Sequence, residues 1–272
     1  MAQKPIGVFD SGVGGLSVLR HLQALLPAEQ LIYLADQGHV PYGSRSAAEI
    51  IQFSQGISQF FLQLNVKLIV VACNTASAAL SLLRQQFALP FVGMEPAVKP
   101  AAEQTQSGKV GILATSGTFA SKRYARLTAQ YAQGISVWED PCVGLVSEIE
   151  AGRLDGPEVC YILQQALAPM LAAGVDTIVL GCTHYPFVLP VVKEIVGTAV
   201  PIIDPAPAIA RQTSVVLRQR NLLADAASVG SVRFITTGKA ASFAQQVEQL
   251  LGLAEAEVET AVWDGDQLSV AQ

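Results

Sequence analysis

A chain of 272 residues, 51% hydrophobic and 14% charged, has core enough for one large or two medium domains and is not a disordered chain. A net charge of −5 and an isoelectric point near 5.2 argue against a nucleic-acid surface as its main business. No apolar run approaches the roughly 18–20 residues that a membrane span needs.

Residues 5–9, Pro-Ile-Gly-Val-Phe, read as a short strand, followed by the glycine-rich turn Asp10-Ser-Gly-Val-Gly-Gly15 and a helix over 16–26. Strand, glycine turn and helix in that order suit a backbone that approaches an anion closely. The spacing is not that of a dinucleotide fingerprint, and a plain turn in which Asp10 caps the helix fits equally well. A second strand over 31–34 ends near Asp36, and a loop carrying Pro41, Tyr42, Gly43 and Ser44 leads into a helix over 47–64. Residues 68–72, Leu-Ile-Val-Val-Ala, are an uncharged, β-branched run that reads as a buried parallel strand. That strand empties into Cys73, Asn74 and Thr75, and a helical stretch to about residue 88 follows at once. Residues 90–94 form the next strand, closing at Glu95-Pro96-Ala97.

The chain then begins again. Val110-Gly-Ile-Leu-Ala-Thr115-Ser-Gly-Thr118 echoes Ile6-Gly-Val-Phe-Asp-Ser11-Gly at an offset of 104, and Cys182 echoes Cys73 at an offset of 109. Asp204-Pro205-Ala206 echoes Glu95-Pro96-Ala97 at that second offset. Three matched strand ends in one order mark an internal duplication. Alternating strands and helices predict an α/β fold of two similar, doubly wound parallel-sheet domains related by a pseudo-two-fold axis, with the active site in the cleft between them. The first domain is expected over 1–97 plus 207–272 and the second over 98–206. After Ala206 come a helix (about 207–220), a strand (232–236), another helix and a last short strand near Val262, which return to complete the first sheet.

Ligands of such sheets bind at the carboxyl ends of the strands, where every unusual residue so far lies. Cys73 stands where strand gives way to helix, among free backbone N–H groups and the positive end of a helix dipole, a setting that lowers a thiol pKa. Cys182, in Gly181-Cys-Thr-His-Tyr-Pro, repeats it. Two thiols flanking one ligand suit a two-base racemisation, one taking a proton from carbon and the other delivering one to the opposite side. Four cysteines (73, 142, 160 and 182) make no disulfide framework, and the start Met-Ala-Gln-Lys-Pro shows no signal-peptide pattern, so a reduced, cytoplasmic setting is expected. Cys142 and Cys160 read as ordinary small apolar residues.

Taken together, Asp10-Ser-Gly-Val-Gly-Gly, Pro41-Tyr-Gly-Ser, Ala72-Cys-Asn-Thr-Ala, Glu95-Pro-Ala and Gly181-Cys-Thr-His-Tyr-Pro resemble glutamate racemase, of the cofactor-independent aspartate/glutamate racemases. The resemblance runs from about residue 5 to the strand near 236. It implies interconversion of L- and D-glutamate without pyridoxal phosphate or metal, supply of D-glutamate for peptidoglycan, and a homodimer. It implies catalytic roles for Cys73 and Cys182, with Asp10 assisting the first and Glu150 and His184 the second. Cys73 would then act on D-glutamate and Cys182 on L-glutamate. Substrate would be held by Asp10, Ser11, the 41–44 loop, Asn74, Thr75, Thr115, Thr118, Thr183 and His184. These are suitable donors for an enediolate-like state that forms with no cofactor as electron sink.

Other readings stand beside these. From its own surroundings in Ser147-Glu-Ile-Glu150, Glu150 reads as a solvated helix face. His184 reads as a satisfied core histidine, a partner of Cys182 in a Cys–His hydrolase, or, less readily, one of only two zinc ligands. An aspartate racemase would share the paired cysteines, and a two-lobed amino-acid-binding protein would need neither.

Overall fold

The computed structural model describes residues 2–271; Met1 and Gln272, where the expected first domain begins and ends, lie outside them. The chain divides into two compact units, Met1–Met94 with Ala206–Gln272, and Glu95–Pro205. The first unit therefore stops at Met94 rather than 97 and resumes at Ala206 rather than 207.

The first unit opens with β1 (Ile6–Asp10), α1 (Leu16–Leu25), β2 (Gln30–Ala35), α2 (Ala47–Gln63), β3 (Leu68–Val71), α3 (Leu80–Gln86) and β4 (Phe91–Gly93). Helix α2 starts where it does because Ser46 and Glu49 form a capping box, each side chain accepting from the other's backbone N–H. The second unit contains α4 (Val98–Gln104), β5 (Lys109–Leu113), α5 (Ser116–Phe119), α6 (Lys122–Tyr131), β6 (Ser136–Asp140), α7 (Leu145–Glu150), α8 (Pro157–Ala172), β7 (Thr177–Leu180), α9 (Leu189–Val196) and β8 (Ile202–Ile203). The chain then returns to the first unit with α10 (Ala206–Gln219), β9 (Ser231–Thr236), α11 (Ala240–Leu251), β10 (Val258–Asp264) and β11 (Gln267–Val270).

The first sheet runs β11-β10-β9-β2-β1-β3-β4 and the second β6-β5-β7-β8. The second order repeats the β2-β1-β3-β4 half of the first, strand for strand. Register repeats as well: Ile6 pairs Leu68 in the first unit, and their counterparts Val110 and Thr177 pair in the second. Offsets of 104 and 109 thus carry one parallel pairing onto the other, which is the physical content of the duplication.

The central strands of each sheet, β1, β3, β5 and β7, are buried on both sides, as expected of parallel strands covered by helices. In the first unit Phe9, Ile32, Leu34, Ile69 and Val71 pack with Ile57, Phe60 and Phe61 of α2 and with Leu80 and Leu83 of α3. Tyr33, at the alternate position of β2, stacks instead on Phe243 of α11 with ring centroids 6.0 Å apart. In the second unit Val110, Ile112 and Val179 share a core with Val98 and Ala101 of α4 and Leu127 of α6.

Two details differ from expectation. The stretch after Cys73 does not enter an α-helix at once: Ala76–Ala79 is a 3-10 turn, and α3 begins only at Leu80. The Ser77 hydroxyl binds the Cys73 carbonyl at 2.8 Å, and such side-chain competition for backbone groups favours a tight turn over a regular helix start. The end of the chain is a hairpin rather than one strand. Strands β10 and β11 pair antiparallel across a turn with Gly265 at φ +60°, so the outer edge of a sheet expected to be parallel is antiparallel. Among the described residues no helix is long and apolar enough to cross a membrane.

Candidate active site

In the first unit the expected residues gather at the carboxyl ends of three adjacent strands. Asp10 ends β1, the Asp36 N–H binds the Asp10 carbonyl at 3.0 Å, and the Ala72 N–H binds the Phe9 carbonyl at 2.8 Å. Cys73 is therefore two residues past the end of β3, beside Asp10. The thiol is buried, and the Ala76 N–H points at its sulfur from 3.5 Å, the first donor of the tight turn. Ser11, Asn74 and Thr75 are buried alongside.

Asp10 is fully buried, and its Oδ2 accepts from Gly15 N–H at 2.9 Å and, more loosely, from Gly12 N–H at 3.4 Å. The carboxylate thus folds the glycine turn around itself. A Cβ on Gly15 would stand 2.8 Å from both the Asp10 Cβ and the Tyr33 hydroxyl, so this glycine is required by packing of the turn, whatever binds above it.

Within the 41–44 loop, Tyr42 points inward. Its ring is buried and its hydroxyl donates to Asp36 Oδ2 at 2.6 Å. Burial, followed by the charges of Asp36, Cys73 and Asp10, pushes the phenol well above its ordinary pKa, so it stays a neutral donor. The rest of the loop is more open, with Pro41 and Gly43 partly exposed and Ser44 exposed, its hydroxyl bonded to the Pro41 carbonyl at 3.3 Å.

The second unit builds the same layout with different side chains. Gly181 N–H binds the Leu113 carbonyl, as Ala72 binds Phe9, and Cys182 follows two residues past β7. Its sulfur lies 3.7 Å from His184 Nδ1, and His184 Nε2 lies 2.6 Å from Glu150 Oε1 at the end of α7. Burial alone would lower the His184 pKa. Hydrogen bonds and charge from Cys182 and Glu150 outweigh burial and hold it well above the ordinary histidine value. Glu150 is accordingly not on a solvated helix face: its side chain is 11% exposed and spent on His184. Thr115 caps α5, its Oγ1 3.1 Å from Thr118 Oγ1, and Thr118 and Thr183 are buried. Among the described residues no three His, Cys, Asp or Glu side chains are grouped to hold a metal ion.

Two features escaped the sequence reading. Asp36 is a buried carboxylate bound by His39, Tyr42, Thr237 and Trp263; the strand-end rule that singled out Asp10 applies to it equally. Cys142 is a buried core residue, as expected, and what the sequence did not show is its backbone. The residue has φ +43° in the loop after β6, its N–H held by Asp140 Oδ1 at 2.8 Å. Burial and then Asp140 push its thiol well up, with Cys182 close enough to contribute. Cys160 is partly exposed, near the Asp155 carbonyl.

A family model described as Asp/Glu/Hydantoin racemase matches residues 6–213. A curated glutamate racemase of Herpetosiphon aurantiacus is 49% identical over 246 residues, which is 90% of this chain and 97% of that protein. Among solved structures, glutamate racemase isoform RacE1 from Bacillus anthracis superposes with a TM-score of 0.87 at 34% identity, covering 98% of this chain and 100% of its own. The Escherichia coli glutamate racemase, solved with L-glutamate and the activator UDP-MurNAc-ala, gives 0.82 at 32% identity over 99% of this chain and 100% of its own. With both kinds of match extending through the strand ends that carry Cys73 and Cys182, the chain belongs to the Asp/Glu/Hydantoin racemase family, in its glutamate racemase branch.

Proposed function

We propose that this chain interconverts L- and D-glutamate by a two-base mechanism in which Cys73 and Cys182 serve opposite sides of the α-carbon. One observation carries the reading. Each cysteine lies two residues past a strand, and those strands, β3 and β7, hold the same register against their neighbours. A single nucleophile has no use for such a counterpart, whereas inversion at carbon needs one group to remove a proton and a second to return one.

In this reading one cysteine starts as thiolate and the other as thiol, and they exchange states with each turnover. An unperturbed thiol with a pKa near 8.5 is only about 3% thiolate at neutral pH, so the surroundings must help. His184, backed by Glu150, takes and returns the Cys182 proton; Asp10 and the Ala76 N–H serve Cys73. Ser11, Asn74, Thr75, Thr115, Thr118, Thr183 and the backbone of the 41–44 loop hold the substrate and the negative charge that spreads onto its carboxylate. In this reading each step is a proton transfer between Cα and a thiol, and the charge is stabilised by these donors without a cofactor or metal. Action of Cys73 on D-glutamate and of Cys182 on L-glutamate, a cytoplasmic homodimer and supply of D-glutamate for peptidoglycan complete the proposal.

The test is circular dichroism of L-glutamate in heavy water with purified protein and neither pyridoxal phosphate nor metal. Loss of optical activity with deuterium at Cα is expected from the unchanged chain, and none from Cys73→Ser or Cys182→Ser. Activity that chelation removes and zinc restores would overturn it. The Cys182–His184–Glu150 chain also suits a Cys–His hydrolase, and Cys73→Ser decides between them, because a hydrolase would survive that change.

A further inference from the structure

The C-terminal hairpin lies beyond the stretch 6–213 that the family model covers, yet it reaches the strand-end residues of the first unit. Its contact is Trp263 on β10. The indole Nε1–H donates to Asp36 Oδ1 at 2.8 Å, and the ring meets His39 edge-on at 5.5 Å and Phe53 at 5.9 Å. His39 in turn stacks flat on Phe53 at 4.0 Å, and its Nδ1 lies 3.0 Å from Asp36 Oδ2. Helix α2 is shaped to receive the ring. A Cβ on Gly56 would stand 2.5 Å from the indole and 2.6 Å from the Asp266 carbonyl, so a mid-helix glycine, ordinarily unfavourable, is where the hairpin seats.

Asp36 is the junction. It is fully buried and takes four donors from three places: His39 and Tyr42 of the loop, Thr237 after β9, and Trp263 of the hairpin. Burial opposes its charge, yet these hydrogen bonds keep the carboxyl below its ordinary pKa, so it stays an acceptor. Tyr42, whose hydroxyl it holds, is the buried anchor of the 41–44 loop.

We propose that Trp263 is a positioning residue for substrate binding, holding Asp36 and through it Tyr42, so that the 41–44 loop presents its backbone in one conformation. This rests on the reading that the loop meets glutamate. A loop that is competent only part of the time weakens apparent affinity by that fraction and leaves the chemistry at bound substrate largely unchanged. Trp263 touches no reacting atom, so its loss should appear in KM.

Trp263→Phe keeps an aromatic ring against His39, Phe53 and Gly56 and removes only the N–H. A hydrogen bond to a buried charge is worth roughly an order of magnitude, so KM for glutamate should rise about tenfold with kcat within about twofold. An unchanged KM in the folded variant, or a fall confined to kcat, overturns the proposal. A second measurement holds even if that variant does not fold. The chain has two tryptophans, and Trp138→Phe, on an outer strand of the second unit, leaves Trp263 as the sole indole reporter. Its emission should change with added glutamate along a curve whose midpoint matches KM, and an indole blind to saturating glutamate overturns the proposal. Racemisation by the unchanged chain is measured alongside. Its absence refutes the reading of function and this inference with it, whereas an active chain with an unaltered KM in Trp263→Phe refutes the inference alone.

Discussion

His184 Nε2 and Glu150 Oε1 stand 2.6 Å apart, in side chains only 3% and 11% exposed, although 34 residues separate them. The carboxylate fixes a proton on Nε2 and leaves Nδ1 facing the Cys182 sulfur. A cysteine that must be thiol in one half of a cycle and thiolate in the other needs a partner able to hold its proton. A histidine whose protonated form is favoured by two neighbours is such a partner.

Glu150→Gln should therefore lower kcat/KM by about 10²-fold, the low end of what general acid–base assistance supplies. The loss must be equal for L- and D-glutamate, because the enantiomers are equally stable in water and the equilibrium constant of one fixes the ratio of the two kcat/KM values. The pH dependence should move too. Glu150 favours the protonated imidazole, so without its charge the limb of the profile set by His184 shifts to lower pH. Rate constants in both directions between pH 6 and 10 check this; a slowed enzyme with an unshifted profile would mean that Glu150 does not act through His184.

Asp176 offers a test of stability in the second unit. Its carboxylate accepts from the Thr105 hydroxyl at 2.5 Å and from the Gln106 and Ser107 N–H groups at 2.8 and 2.6 Å, tying the end of α4 to the start of β7. Partial burial raises the pKa, but these bonds outweigh it and lower the carboxyl from 3.8 to about 2. The folded value is the depressed one, so the stabilisation is present above about pH 4 and is lost as pH falls toward about 2. Asp176→Asn should cost about 1 kcal/mol at neutral pH, the site being partly open to water. Urea midpoints of the two proteins should converge as pH drops below about 4. A gap that stays constant from pH 6 to 3 would show that charge plays no part.

What the sequence disclosed and what it concealed divide along one line. The duplication was legible because the strand-end echoes repeat at offsets that the pairing of Ile6 with Leu68 and Val110 with Thr177 turns into geometry. Cys73 and Cys182 were legible for the same reason. Glu150 was legible only through the family resemblance, since its neighbours in the chain are those of any amphipathic helix and its partner comes from another element. Asp36 was passed over because its four donors are gathered from three separate segments, one of them 227 residues away. The hairpin was read as one strand although Asp264-Gly265 is a turn signal, because β11 is only four residues long. Contacts between distant segments leave no periodicity to read.

Asp10 poses the sharpest question, for its carboxylate already has a structural task. Oδ2 closes the glycine turn through Gly15 N–H and Gly12 N–H, and the turn packs so closely that Gly15 admits no Cβ. That arrangement alone would explain an aspartate here. It also sets the carboxylate beside the strand end that carries Cys73, where it would relay a proton to and from the thiol. Asparagine separates the two tasks. Its amide oxygen accepts from Gly15 N–H as the carboxylate does, but it neither takes up a proton at neutral pH nor carries charge. Asp10→Asn should keep the thermal midpoint close to that of the unchanged chain and lower kcat/KM by about 10²–10⁴-fold, equally in both directions. Asp10→Ala, by contrast, strands the Gly15 N–H in a buried turn and should lower stability by about 1–3 kcal/mol as well. Circular dichroism supplies both readings on the same samples, as racemisation rate and as thermal melt. Full activity in Asp10→Asn would leave the residue its turn and remove it from the proton relay.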